Sequence, residues 1–324
     1  MIKNICSKDF FKTHATDIAA YSGLLLCIII FSIIPPFFGE SIWTATKLAT
    51  LMSDVIVMAL IAVGAIFVYA LGNMDVSIGK QVGLYATLMV VLGNTTGSLV
   101  YGVVISFLIS IIIGIINGAT GEVLKIHPII SSLVFMMILG GVSSITYNNL
   151  GSRNISLKTI NYSIFKNPWL MILVLLIEIL IISYLFNFTK FGKYAKAIGA
   201  NEVAAMQSGI NLVKYKVICY IIMGICVVVA SIFQMGYTGS ASDSTGTGFE
   251  MNVMVALILG GMPLSGGMRS KVSYAVIGAF TYSLLDVGLP LIGVAPNQVF
   301  LIKAIIFIVV VLITCRKPNG TLPR

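Results

Sequence analysis

The sequence predicts an all-α, polytopic integral membrane protein with about ten transmembrane helices, some of them short or broken. Its 324 residues are 58% apolar and 10% charged, with a mean hydropathy of +1.03, whereas soluble domains contain about 25% charged residues. Long stretches contain no charge, and turn-forming clusters divide the longest of them. At about 20 residues per span, this length accommodates roughly ten helices and leaves no room for a soluble domain.

Six charge-free stretches outline most of the membrane-spanning segments: residues 18–39, 55–74, 81–121, 126–152, 217–242 and 251–268. A seventh stretch, 167–189, contains one charged residue, Glu178. The 81–121 stretch is too long for one helix across ~30 Å of hydrocarbon, and the turn-forming run at 93–98 divides it into two spans. Residues 272–315 form another pair, because Gly288, Pro290, Gly293 and Pro296 would interrupt a helix there.

These divisions predict a single transmembrane permease domain that covers residues 1–324. Its ten spans are expected near residues 18–38, 50–72, 77–93, 99–119, 127–147, 168–187, 216–236, 251–263, 272–288 and 297–315. A cytoplasmic loop at 190–214 joins the sixth span to the seventh. The first apolar run is longer than the roughly 7–15 residues of a signal-peptide core and lacks a small-residue cleavage site. We therefore interpret it as a retained span.

Basic residues are distributed unequally between the two faces of this arrangement. With ten spans, both termini lie on one side, and that side carries 15 of the 20 Lys and Arg residues: Lys3, Lys8, Lys12, Lys80, Lys125, Lys190, Lys193, Lys196, Lys214, Lys216, Arg269, Lys271, Arg316, Lys317 and Arg324. The other side carries Lys47, Arg153, Lys158 and Lys166, and Lys303 lies within the tenth span. Because Lys and Arg are enriched in cytoplasmic loops, both termini are predicted to be cytoplasmic. The net charge of +9 then reflects topology rather than nucleic-acid binding.

The sequence contains no group of residues typical of catalysis or metal binding. It has two histidines and neither an HExxH nor a GxSxG motif. The nearest approach to a P-loop, Gly72 to Gln81, has six residues rather than four between its glycines and Gln in place of Ser or Thr after Lys80. We therefore expect no enzymatic activity, metal or cofactor in this chain. The five cysteines lack metal or disulfide spacing and are expected to be free thiols.

Three ionisable residues in the apolar stretches, Glu178, Asp286 and Lys303, are candidates for a second class of function. Charges there are costly and often serve ion coupling. Glu178 is either the proton site of an ion-coupled carrier or a protonated or paired packing residue. Asp286 and Lys303 lie near the outer ends of spans nine and ten, where snorkelling lowers their cost, and we interpret both as structural. No filter-like motif or ring of charge indicates a channel.

The 190–214 loop contains signals for a short helix outside the bilayer. Asn201 can cap a helix that begins at Glu202, whose carboxylate suits the positive end of the helix dipole. Gly209 can end this helix in a left-handed conformation. The sequence therefore predicts a two-turn helix, which either has a function of its own or belongs to an ordinary structured loop.

Three stretches resemble the membrane permeases of ribose/galactose-type ABC importers, over roughly residues 50–316. One is similar to the coupling loop of that family, and the other two follow the second and seventh spans. They read Asn201-Glu202-x-Ala204-Ala205-x-x-Ser208-Gly209-Ile210, Asp75-Val76-Ser77-Ile78-Gly79, and Gly246-Thr247-Gly248-Phe249-Glu250 followed by Leu259-Gly260-Gly261-Met262-Pro263-Leu264-Ser265-Gly266-Gly267. The sequence departs from residues common in the family at Lys193, Met206, Pro263 and Asp286, the last at a position where the family often has Asn.

The resemblance implies a permease subunit that imports a monosaccharide such as ribose or galactose or, alternatively, a nucleoside. An ion-coupled secondary transporter is the alternative from another class. The implied partners are an ABC ATPase subunit that binds ATP and magnesium, an extracytoplasmic solute-binding protein, and a second permease copy or homologous permease in a prokaryotic cytoplasmic membrane. The coupling residues would be Asn201, Glu202, Ala204, Ala205, Ser208 and Gly209. The pathway or gating residues would be Asp75, Ser77, Gly79, Gly246, Gly248, Glu250, Gly260, Gly261, Ser265, Gly266 and Gly267.

Overall fold

Twelve α-helices make up most of the computed structural model, which describes residues 15–158 and 160–314. In chain order they are α1 (Ala15–Ile33), α2 (Ala45–Ala70), α3 (Ile78–Thr96), α4 (Leu99–Val123), α5 (Pro128–Asn149), α6 (Pro168–Phe188), α7 (Lys190–Ala200), α8 (Glu202–Gln207), α9 (Leu212–Thr238), α10 (Phe249–Leu259), α11 (Val272–Leu291) and α12 (Pro296–Thr314). Short 3-10 helices occupy Pro35–Phe38 and Ser163–Lys166. The predicted all-α polytopic membrane fold is confirmed.

Seven of the described helices are long and apolar enough to cross a membrane, namely α1 with the residues that follow it, α2, α4, α5, α6, α9 and α11. The other three predicted spans fall on α3, α10 and α12. Helix α10 has 11 residues and, at ~1.5 Å per residue, covers only about half of a ~30 Å hydrocarbon layer. It is one of the short spans that the sequence predicted.

Helix α2 forms the centre of the bundle. From Val55 to Leu71 it is buried on all sides, and α6, α7, α9, α10 and α11 pack around it. An all-round apolar sequence is expected of a helix enclosed by other helices. The C-terminal half of α2 is fixed by an edge-to-face contact between its Phe67 and Phe186 of α6, with ring centroids 5.1 Å apart.

Helices α4 and α9 approach closely because α4 presents small residues to its partner. A Cβ atom on Gly114 would lie 2.9 Å from the backbone of Ile221, and one on Gly118 would lie 2.7 Å from the Cα atom of Val217. Spacing of small residues by four places them on one face, which is the usual means of packing helices in a membrane. The long α9 is thereby held against α4 along the end that follows α8.

A two-stranded antiparallel ribbon joins the loops that follow α5 and α9. Strand β1 (Asn154–Ser156) pairs with β2 (Ser240–Ser242), with Ile155 opposite Ala241. The side chain of Asn94, near the end of α3, donates to the carbonyl oxygen of Ser156 at 2.9 Å. Both loops were predicted to lie on the outer face, and the ribbon places them together at the same end of the bundle as the end of α3.

Residues 1–14, 159 and 315–324 lie outside the described residues. They include the basic residues at both termini, so the predicted position of the termini is not addressed by the structure. Cys6 and Cys315 also fall there. The three cysteines that are described, Cys27, Cys219 and Cys226, are free thiols as predicted.

Candidate functional site

Asp75 is the centre of a buried hydrogen-bond network at the turn between α2 and α3. Its Oδ1 atom accepts hydrogen bonds from the N–H and the hydroxyl of Ser77, at 2.7 and 2.6 Å. Its Oδ2 atom accepts one from Nδ2 of Asn117 in α4 at 3.1 Å, and Oδ1 of Asn117 accepts one from Ser131 in α5 at 2.9 Å. All four side chains are buried. The predicted site residues Asp75 and Ser77 therefore fix the α2–α3 turn and face other protein groups.

Gly79, Gly246, Gly248 and Glu250 lie together where the chain enters α10. A Cβ atom on Gly79 would overlap the carboxylate of Glu250 and the carbonyl oxygen of Gly246. The Glu250 carboxylate accepts a hydrogen bond from the N–H of Gly248 at 3.3 Å. Irregular backbone at membrane depth is tolerated where other protein segments enclose it. The start of α3 thus packs against the start of α10, and two motifs that are distant in the sequence lie in contact.

The glycine-rich turn after α10 contacts the ends of two other helices. The N–H of Gly267 donates to the carbonyl oxygen of Ala70, the last residue of α2, at 2.8 Å. A Cβ atom on Gly199 in α7 would overlap the same oxygen and lie 2.9 Å from the Gly267 nitrogen. We call Ala70, Gly199 and Gly267 the backbone junction. Because no side chain separates the three segments, a displacement of α7 acts directly on α2 and on the turn after α10.

The other predicted residues of this turn also pack against backbone. A Cβ atom on Gly260 would overlap the carbonyl oxygen of Tyr274 in α11, and one on Gly266 would lie 2.5 Å from the carbonyl oxygen of Tyr69. The carbonyl oxygen of Ser265 approaches Gly72, and Gly261 has a φ of 99° just after α10. These residues allow the backbones of neighbouring segments to approach closely.

Helix α8 has the ends that the sequence predicted. Oδ1 of Asn201 accepts a hydrogen bond from the N–H of Ala204 at 3.0 Å, the helix begins at Glu202, and Gly209 adopts a φ of 80°. The Ser208 hydroxyl donates to the Ala204 carbonyl oxygen at 2.8 Å, and Ala205 is buried. The opposite face leaves Val203 and Met206 59% and 56% exposed. A capped helix therefore presents a small apolar surface to solvent.

A cation–π contact and a hydrogen bond fix helix α7 to α6. The Lys196 ammonium lies 4.1 Å from the centroid of the Phe186 ring and donates to Oδ1 of Asn187 at 3.3 Å. Burial lowers the pKa of Lys196 below its usual value, and the ring compensates part of that desolvation. These contacts hold α7 against the end of α6.

If the chain imports a solute, as its resemblance to permeases implies, replacing Gly209 by Val is expected to lower solute uptake several-fold. No atom outside its chain neighbours lies within 4 Å of a Cβ atom at Gly209, so backbone conformation alone opposes the change, and β-branched residues are strongly disfavoured at positive φ. Gly209→Asn is the matched control, because Asn tolerates this conformation. Uptake by both variants, compared at equal amounts in the membrane, is the measurement. Equal uptake by the Val and Asn variants would contradict the prediction.

Lys216 connects the short helix to the transmembrane bundle. The sequence placed Lys216 in the cytoplasmic loop as a topological charge, but it lies in the first turns of α9 and is only 5% exposed. Its ammonium forms ion pairs with Glu202 of α8, at 2.7 Å, and with Glu122 at the end of α4. One buried cation therefore joins α8, α9 and α4.

A polar cavity of about 90 Å³ lies among four helices in the other half of the bundle. Its lining combines two carboxylates, two amides, two hydroxyls and one phenyl ring with two apolar side chains: Asp54, Val57 and Met58 of α2, Gln234 of α9, Phe249 and Asn252 of α10, and Tyr282, Ser283 and Asp286 of α11. Lys303 of α12 contacts Asp286 and Tyr282, each at 2.7 Å. Sequence analysis named Asp286 and Lys303 but missed the cluster, because its residues come from helices that are distant in the chain.

The interpretation of Lys303 as a snorkelling residue is wrong. Its side chain is 6% exposed and pairs with Asp286 instead of extending to the membrane surface. Snorkelling was expected because the packing of α12 on α11 is not evident from the sequence. Asp286 lies five residues before the end of α11, and the sequence did not identify Lys303 as its partner.

Glu178 does not line the polar cavity. It is buried in α6 beside Cys226 of α9, and its Oε1 atom has no hydrogen-bond partner among the described residues. Among those residues, no group of three or more His, Cys, Asp or Glu side chains is placed to hold a metal ion.

Comparison with known proteins identifies the family. The family described as branched-chain amino acid transport system / permease component matches residues 47–311. The ribose import permease protein of Escherichia coli (strain K12) is 29% identical, over 95% of this chain and 96% of that protein. The L-arabinose transport system permease protein of the same strain is 30% identical, over 90% and 89%. Its galactose/methyl galactoside import permease protein is 28% identical, over 93% and 95%.

The residues matched by the family include the backbone junction, helix α8 and all the residues that line the polar cavity. Together with the polytopic helical fold, this match shows that the chain belongs to the family of branched-chain amino acid transport system / permease components.

Proposed function

We propose that this chain is the transmembrane subunit of an ABC importer that moves a monosaccharide such as ribose or galactose across the cytoplasmic membrane. The observation that carries the proposal is similarity along nearly the whole chain to three permeases whose names specify ribose, L-arabinose and galactose or methyl galactoside. The absence of a P-loop from the sequence fits a subunit that relies on a partner for ATP hydrolysis.

In this proposal a separate ATPase subunit binds ATP and magnesium and docks on α8, whose exposed Val203 and Met206 offer an apolar contact. Closure of the ATPases displaces α7 and α8. The backbone junction then transmits the displacement to the end of α2 and the turn after α10. Two discrete packings of the bundle, alternately open to either side, suffice for transport. A second permease copy or a homologue completes the pathway, and an extracytoplasmic binding protein delivers the solute.

Reconstitution tests the proposal directly. The permease, its ATPase and its binding protein are placed in liposomes with ATP on the cytoplasmic side, and uptake of labelled ribose and galactose is measured. We expect uptake of at least one sugar that depends on ATP. Uptake of a nucleoside and of neither sugar would support the alternative substrate class within the same family.

Glu178→Gln is expected to retain at least about half of ATP-driven uptake. Gln preserves the shape of the buried side chain and removes its ability to carry a proton, so only an ion-coupled mechanism requires the carboxyl group. The measurement compares both proteins with ATP alone and with a proton gradient alone. Uptake by the lone subunit that is driven by the gradient and lost in Glu178→Gln would favour the ion-coupled carrier.

The proposed orientation, with both termini cytoplasmic, predicts the reactivity of single cysteines in a background without native cysteines. Cysteines at Ser152, just before the ribbon, and at Ser240, the first residue of β2, should react with an impermeant thiol reagent in intact cells. A cysteine at Ser208 should react only in inside-out vesicles. Ser208 is exposed at the end of α8, so a lack of reaction in cells would reflect its side of the membrane. The reverse pattern would invert the topology.

A further inference from the structure

The polar cavity is lined in part by α2, α9 and α11, which are long and apolar enough to cross a membrane, and it lies on an open face of the chain. Asp54 is nine residues after the start of α2, or about 14 Å along the helix axis, and yet its side chain is exposed. The Asp286 side chain is 43% exposed. Ionisable side chains within a membrane face a water-filled path or a bundle interior and rarely lipid. The face that carries Asp54 and Asp286 therefore borders an aqueous space in the assembled protein.

The hydrogen bonds around the cavity orient its polar groups. Lys303 donates to Oδ1 of Asp286 and to the Tyr282 hydroxyl, each at 2.7 Å, and that hydroxyl donates to Oδ1 of Asn252 at 2.5 Å. These contacts use one atom of Asp286 and one of Asn252. Among residues 15–158 and 160–314, no hydrogen bond engages the second carboxylate oxygen of Asp286, the amide nitrogen of Asn252 or the Asp54 carboxylate. The two carboxylates can therefore accept hydrogen bonds from a ligand, and the amide can donate one.

The charge and composition of the cluster restrict the class of ligand. Two carboxylates and one ammonium leave one uncompensated negative charge, which disfavours an anionic or phosphorylated solute. The ammonium that already pairs with Asp286 also disfavours a divalent cation between the carboxylates. A neutral polyol fits, because its hydroxyls both donate and accept, and the Phe249 ring offers an apolar surface to its C–H groups.

The size of the cavity indicates that one copy of the chain supplies only part of the enclosure. Sites that enclose a small ligand are typically about 300–1,000 Å³, whereas this cavity is about 90 Å³. Its open side carries the exposed carboxylates of Asp54 and Asp286. A second permease placed against this face would complete the walls and would remove both carboxylates from contact with lipid.

We propose that Asp54, Asn252 and Asp286 form half of a solute-contact site within the membrane, at which the hydroxyls of a neutral monosaccharide bind during transport and which a facing permease completes. This inference rests on the proposed function and adds the contact residues. Tyr282 and Lys303 are positioning residues, since they act through Asn252 and Asp286.

The test uses the complete transporter in liposomes, with the sugar that the wild-type protein transports and its single-deoxy analogues as probes. Asp54→Ala and Asn252→Ala should each lower uptake of the parent sugar, by about tenfold for the charged residue. Uptake of the one analogue that lacks the contacted hydroxyl should change far less. The ratio of parent to analogue uptake should therefore fall, whereas a general defect in folding or coupling would lower all sugars by one factor.

Tyr282→Phe provides a second variant, since it removes only the hydroxyl that orients Asn252. Tyr184→Phe on the exposed face of α6 is its matched control. If an alanine variant fails to accumulate, the ratio of parent to analogue uptake in Tyr282→Phe decides whether the solute-contact site exists. Wild-type ratios in the variants, whether uptake is normal or uniformly reduced, would overturn the solute-contact site. Failure of the wild-type complex to transport either sugar would overturn the proposed function, and this inference with it.

Discussion

Gly199→Val is expected to abolish solute uptake while the permease still binds its ATPase. A Cβ atom at Gly199 would overlap the carbonyl oxygen of Ala70, which already accepts the hydrogen bond from Gly267 at 2.8 Å. Because the obstructing atoms are backbone, no rotation of a side chain relieves the overlap. Helix α7 must therefore separate from the end of α2, and the direct backbone contact through which α7 acts on α2 is lost. The apolar surface of α8, with Val203 and Met206, is unchanged.

The measurements are copurification of the ATPase, ATP hydrolysis and uptake in liposomes. We expect near-normal copurification and continued hydrolysis with no uptake. Gly141→Val in α5 is the matched control, since it makes the same change in a helix where a Cβ atom meets nothing within 4 Å. Because Val has a higher helix propensity than Gly, neither variant is opposed by intrinsic helix propensity. If both variants transport equally well, the backbone junction does not carry the motion.

The features that sequence analysis predicted well are those encoded within about ten consecutive residues. Helix α8 is one example: Asn201, Glu202 and Gly209 supply the cap, the first turn and the end, and the structure has each of them. A short span was also expected at residues 251–263, and the structure has an 11-residue helix at Phe249–Leu259. Local backbone chemistry decides such elements, so no knowledge of their neighbours is needed.

The features that it missed depend on which helices are neighbours. Lys216 and Glu122 are 94 residues apart in the chain, and Lys303 and Asp286 are 17 apart on different helices. Asp54 and Asn252 each stand alone in an apolar helix, and only the packing of α10 and α11 on α2 brings them to one cavity. The roles assigned to the glycine motifs as pathway or gating residues remain predictions, although the structure brings most of these residues into close joints between helices.

The second large effect is expected at the ion-paired group of Glu122, Glu202 and Lys216. Glu202→Lys would place a second ammonium beside a cation that is 5% exposed and that now contacts Glu202 at 2.7 Å. Breaking a fully buried ion pair costs about 3–5 kcal/mol. The Glu202 side chain is 48% exposed, so water screens part of the repulsion and the cost should fall below that range. Helix α8 should nevertheless detach from α9, since its first residue no longer binds there.

Uptake should therefore fall at least about tenfold, and copurification of the ATPase should weaken with it. Gln207→Lys is the matched control, because it adds the same ammonium group to the exposed end of the same helix, five residues from Glu202. It changes the net charge by +1, whereas Glu202→Lys changes it by +2. Lys216→Met further separates loss of the ion pair from a change in surface charge, since it removes the buried cation and leaves the surface of α8 unaltered. If Gln207→Lys is as damaging as Glu202→Lys, surface charge explains the loss. If Glu202→Lys and Lys216→Met both transport normally, the ion-paired group holds α8 without contributing to coupling.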